Sequence, residues 1–105
     1  MDITIGRTVL YTLTADDAVA TNRRRTTGAS IAERMKAEPK EWPAGAQAHI
    51  GNEAHEGDLV PMVVVRVWSP TTVNGQAFMD GNDVLWVTSA TEGHGPHTWQ
   101  WPPRA

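Results

Sequence analysis

The sequence contains no cysteine, a single phenylalanine, a single tyrosine and no excess of positive charge. Without cysteine there is no disulfide framework, no thiolate nucleophile and no sulfur-ligated metal centre, and the chain suits a reducing compartment. Long hydrophobic runs are missing as well. The longest, Leu59 to Val65, contains Pro61 and is followed by Arg66, well short of the roughly 18 residues a membrane-spanning helix needs. No membrane association is expected. The start, Met1-Asp2-Ile3-Thr4-Ile5, lacks the basic residues, apolar stretch and cleavage site of a secretory signal, so a cytoplasmic location is expected. The formal net charge of -3 argues against a surface that tracks a phosphate backbone, because such domains carry a cationic excess. No phosphate-cradling glycine loop, nucleophile elbow or dinucleotide fingerprint is present. Nothing around Ser30, Ser69 or Ser89 singles out a nucleophile. The chain therefore reads as a non-enzymatic protein without a cofactor.

What is present is an ordinary globular composition, 40% hydrophobic and 20% charged over 105 residues. A chain of this size buries one core, so residues 1–105 form a single domain. Five tryptophans, at positions 42, 68, 86, 99 and 101, supply most of the aromatic surface.

Hydrophobic alternation predicts a strand over Thr4 to Leu13, with Ile5, Val9, Tyr11 and Leu13 on the buried side. Gly6 interrupts it, so regular pairing should begin near Thr8. Thr14, followed by Asp16 and Asp17, caps a helix from Ala15 to about Arg25 with Ala15, Ala18, Val19 and Asn22 on one thin face. Ser30 and Glu33 have capping-box spacing for a second short helix that Pro39 stops. Ala46 to Ile50 reads as a short strand, and residues 52–58 as a polar loop. Valine-rich Leu59 to Trp68 is the central strand, apolar enough that both faces should be covered.

Val73-Asn74-Gly75-Gln76 carries a turn signal. A hairpin follows, with strands Gln76 to Met79 and Val84 to Ser89 around Asp80-Gly81-Asn82-Asp83, whose glycine should adopt positive φ. Prolines and glycines in the tail leave room for one strand at Thr98 to Trp101. The expected class is α+β: a small, strongly bent antiparallel sheet or SH3-like β-barrel, with a two-helix insertion after the first strand.

Three groups of residues bear on function. His94 and His97 have ligand-like spacing, but Gly95-Pro96 forbids the helix that presents such a pair and no acidic cluster completes a metal site with them, His49 or His55. Asn22, Arg23, Arg24 and Arg25 form the one concentrated charge feature. The arginines either complement the helix dipole or recognise an anion such as a phosphate, a nucleotide or an acidic protein patch. Trp68 and Trp86 lie in expected strands and read as core or rim packing. Trp99 and Trp101 share a strand face that either closes the barrel or forms an exposed aromatic platform.

Ile5-Gly6-Arg7-Thr8-Val9-Leu10-Tyr11, Leu13-Thr14, Asp17-Ala18, Asn22 to Arg25, His49-Ile50-Gly51-Asn52, Met62 to Trp68, Asp80-Gly81-Asn82-Asp83, Leu85 to Ser89 and Trp99-x-Trp101-Pro102 together resemble a family of small uncharacterised proteins encoded by bacteriophages and prophages. The resemblance spans nearly the whole chain and implies a source, with no catalytic residues attached. It implies an accessory protein that binds a host component, either a protein or a small anionic ligand such as a nucleotide signal of host defence. A virion component is the alternative, and predicts symmetric self-association into a homo-oligomer. A nucleic-acid-binding module using the arginines with Trp99 and Trp101 is a third reading, opposed by the net charge.

Overall fold

The structure, a computed structural model, describes residues 2–24 and 51–103. The expected second helix, the strand at Ala46 to Ile50, Arg25, Trp42 and His49 lie outside the described residues, as does the side chain of Arg24.

Five strands close into a barrel in the order β1 (Thr8–Thr12), β2 (Leu59–Val67), β3 (Thr72–Phe78), β4 (Val84–Glu92) and β5 (Thr98–Gln100), and one helix, α1 (Ala15–Arg24), follows β1. Neighbours pair antiparallel from β1 to β4, and β5 returns antiparallel to β1 through Leu10↔Gln100 and Tyr11↔Trp99. The seam between β4 and β5 is parallel, at Thr91↔Thr98 and Glu92↔Trp99. Closure leaves no free edge among these strands, the feature that otherwise invites edge-to-edge association.

Inward residues alternate along each strand as the pleat demands. Val9 and Tyr11, Val60, Met62 and Val64, Val73 and Ala77, Val87 and Ala90, and Trp99 fill the barrel, with Leu13 at one end. β1 begins at Thr8 because Gly6, at φ 91°, turns the chain, with Arg7 N–H bonded to the Thr4 carbonyl. That turn sends Ile3 into the core and leaves Ile5, expected on the buried side, 69% exposed.

α1 starts on a reciprocal cap. The Asp17 amide donates to Thr14 Oγ1 at 2.9 Å and the Thr14 amide to Asp17 Oδ2 at 3.0 Å, with Asp17 in the place glutamate usually takes. Its buried side is Ala18 and Thr21, and Val19, expected on the packed face, is exposed. The helix is rotated toward the segment at residue 54, to which Asn22 bonds.

The turn expected at Val73-Asn74-Gly75-Gln76 is instead the middle of β3. The chain reverses earlier, where Ser69 Oγ accepts the amides of Thr71 and Thr72. Gly75 is required there by a close approach: a Cβ would lie 2.5 Å from Met62 Cγ, 2.7 Å from Met62 Sδ and 2.8 Å from the Val63 carbonyl oxygen. Asn74 sits at a corner. β2 carries an extra residue at Val65, and β4 one at Thr88-Ser89, both opposite Asn74 and Gly75. Paired bulges bend a sheet sharply and let five short strands close.

The β3–β4 hairpin turns at residues 79–83 as expected, with Met79 N–H bonded to the Asp83 carbonyl. Its glycine is not left-handed: positive φ among the described residues falls at Gly6, Gly57, Ser89 and His97. The loop is held from outside, by a bridge between Gly51 and Gly81 and by Asn52, whose amide and side chain both donate to Asp80. External support replaces the tight-turn geometry the sequence suggested.

Candidate functional site

Asn22 is used up structurally. Its Nδ2 donates to the Ala54 carbonyl and its Oδ1 accepts the Ala54 amide, both at 2.8 Å, so its side chain copies a strand partner and pins α1 to the loop before β2. Arg23 is exposed on the last turn of α1, where a cation complements the helix dipole.

Of the two readings of Trp99 and Trp101, barrel closure holds for Trp99. Trp99 is 1% exposed, and its indole N–H donates to the Thr71 carbonyl at 2.9 Å, so it closes the barrel and presents no platform. Trp101 is half-buried and stands edge-on to Trp99 with ring centroids 5.6 Å apart. Trp68 and Trp86, expected in the core or at its rim, are 53% and 63% exposed, so neither is a core residue. Trp68 is nevertheless fixed: its indole N–H donates to Asn74 Oδ1 at 3.0 Å and the Arg66 guanidinium lies 3.9 Å from its ring centre. Trp86 stands free on the outside of β4.

Beside Trp101 an open groove of about 530 Å³ runs between the β2–β3 turn and the β4–β5 connection, lined by Thr71, Glu92, Gly93, His94, Gln100 and Trp101. Backbone bonds from Glu92 N–H to the Thr71 carbonyl and from Gly93 N–H to the Trp99 carbonyl make its floor rigid. His94 Nδ1 lies 3.2 Å from Gln100 Oε1, which orients both side chains along one wall. No hydrogen bond among the described residues uses the Trp101 indole N–H. The groove thus combines one aromatic face, one available donor, an amide and a carboxylate, and the volume suits a small ligand or a few residues of peptide. Family models, curated proteins and solved structures were compared with the chain, and none matches. The groove is therefore read from its own chemistry.

Sequence reasoning found Trp101, weighed His94 only as a metal ligand and missed Glu92 and Gln100, because the parallel β4–β5 seam that brings residues 92–94 beside residue 100 leaves no local pattern.

The two histidines of the tail take separate partners. His97 Nδ1 lies 3.1 Å from the Tyr11 hydroxyl, which is 2.6 Å from Asp17 Oδ2. Burial, then the hydrogen bond to Asp17 and its charge, push the Tyr11 phenol well above its usual range. Among the described residues no helix is long and apolar enough to cross a membrane.

Proposed function

We propose that the chain is a non-enzymatic binding module, built as an SH3-like barrel, that takes an extended peptide segment of a protein partner in the groove beside Trp101. The closed five-strand order with β5 returning to β1 supports the barrel assignment. The observation that carries the ligand is the half-buried indole of Trp101 set against the His94–Gln100 wall. An aromatic face with an adjacent donor and amide suits an extended segment, whose apolar side chain stacks on the ring while its backbone meets the N–H and the amide. Glu92 in the lining disfavours a small anion and favours a neutral or cationic segment. His94 is engaged by Gln100 and the hydroxyl of Thr71 faces that of Ser69, which supports a role in binding over one in catalysis. The resemblance to small phage-encoded proteins supports placing the partner in the cytoplasm of an infected or lysogenic bacterium.

Selection from a random peptide display library tests this directly. Recovered peptides should lose at least ten-fold in affinity for Trp101→Ala and for Glu92→Lys, measured by calorimetry on folded protein. Peptides that bind both variants as well as the unmodified chain would remove the groove from consideration.

A further inference from the structure

The outward side of β2, β3 and β4 is an apolar face. Leu59 and Val65 on β2, Phe78 on β3, and Val84 and Trp86 on β4 are 43–63% exposed, and Pro61 is exposed among them. Cross-strand register makes them contiguous, since Val63 pairs with Gln76, Gln76 with Trp86, and Phe78 with Val84. The outward positions 59, 61, 63 and 65, 76 and 78, and 84, 86 and 88 carry no charge, and Arg66, exposed beside Val65 at the β2 bulge, stands at the rim of the face with its guanidinium over Trp68.

We infer that this face is where a second copy of the chain docks, forming a two-fold dimer by packing one β2–β3–β4 face on the other. The surface is of the right size. With about 150–250 Å² for a whole aromatic side chain and less for an aliphatic one, the exposed fractions leave roughly 500 Å² of apolar area. A standard interface takes about 800 Å² from each partner, of which about 65% is apolar in homodimers, so one such face supplies the apolar share of one subunit. The absence of charge selects the partner. A two-fold axis sets a patch against itself, so charges near the axis would meet their like, whereas an uncharged patch is self-compatible. A different protein would be recognised and oriented by charge complementarity, and this face offers only Arg66 at its rim, already engaged with the Trp68 ring. Barrel closure leaves face-to-face packing, about 10 Å between sheets, as the route for association. Trp86, the most exposed of the five, is the anchor. This inference is independent of the groove, which lies at the β4–β5 seam.

Sedimentation equilibrium of the full chain over about 1–200 µM should give twice the 11.5 kDa chain mass at the upper end. Trp86→Lys and, separately, Val84→Lys should each weaken dimerisation at least 100-fold with an unchanged circular-dichroism spectrum. Because the chain lacks cysteine, Thr88→Cys carries a single spin label, and dipolar coupling between two labels should appear in the dimer. A monomer at every concentration with the spin label at residue 88 freely mobile overturns the inference. So does a monomer with that label immobilised, which would assign the face to residues 25–50 of the same chain, and so does a dimer indifferent to both lysine substitutions.

Discussion

The side-chain oxygen of Asn74 accepts the backbone N–H of Ser89 at 2.7 Å. Ser89 is the bulged residue of β4, held at φ 52°, and its amide has left the strand ladder. The same Asn74 oxygen accepts the Trp68 indole N–H. One buried carboxamide thus satisfies the donor the bulge frees and a tryptophan across the corner. Asn74→Ala should lower unfolding free energy by about 2–3 kcal/mol, since it leaves two donors without a partner. Ser89→Gly should raise it slightly, by no more than about 1 kcal/mol, because glycine holds this φ without strain. Denaturant midpoints check both, and an Asn74→Ala midpoint equal to that of the unmodified chain would show that the bulge is fixed by its strands alone.

Met62 packs so close to Gly75 that no side chain fits at position 75. Gly75→Ala forces a methyl group against the Met62 side chain and the Val63 carbonyl, and should cost about 2–4 kcal/mol. Met62→Ala alone leaves a cavity and should cost a similar amount. Combined, the two changes should destabilise by less than their sum, because the smaller residue at 62 admits the methyl group. Strict additivity would place the strain on the Val63 carbonyl instead.

These two positions also show what the sequence could disclose. Asn74-Gly75 is a strong local turn signal, yet what it encodes is a corner: an amide to serve one neighbouring strand and a missing Cβ to admit another. Both needs arise from strands distant in sequence. The same holds for Trp86 and Trp99, which look alike in their strands and separate only when closure puts β5 inside the β1–β4 seam. Local rules were sufficient where local forces decide. The Thr14–Asp17 cap, the β1 start after Gly6, the Leu59 strand and the hairpin at residues 79–83 were all legible. In the groove only Trp101 was, because the rest of the lining depends on a parallel pairing that no periodicity announces.

Asn22 and Arg23 are adjacent, and their substitutions should separate. Asn22→Ala removes both bonds to Ala54, strands a buried amide and frees the loop before β2 from α1, so a loss of about 1–3 kcal/mol is expected. Arg23→Glu changes an exposed side chain and should stay within about 0.5 kcal/mol. Thermal melts of the two variants suffice. An Asn22→Ala protein as stable as the unmodified chain would free that side chain for ligand recognition, as its position beside the arginines first suggested.

The Asp17–Tyr11–His97 chain makes a prediction about protons. Tyr11 has one hydroxyl proton, and an ionised Asp17 can only accept, so at 2.6 Å the proton is given to Asp17. The lone pairs of the phenol then face His97, whose Nδ1 must be the donor across 3.1 Å. That fixes the imidazole with its proton on Nδ1 and a bare Nε2. Long-range proton–nitrogen spectra at about pH 9, where a neutral imidazole carries one proton, should show the Nδ1–H tautomer for His97 in the unmodified chain, and Tyr11→Phe should abolish that preference. The phenol itself supplies a second reading. Its folded value is raised, so its contribution to stability is complete below the unfolded value of about 10 and falls as pH rises beyond it, because the unfolded chain then releases a proton that the folded chain keeps. Tyr11 is the sole tyrosine, so near-ultraviolet phenolate absorbance reports it alone and should appear together with alkaline unfolding. Asp17→Asn removes the charge and should bring ionisation to lower pH. An Nε2–H tautomer for His97, or phenolate formation near pH 10 in a folded chain, would mean that Tyr11 does not give its proton to Asp17.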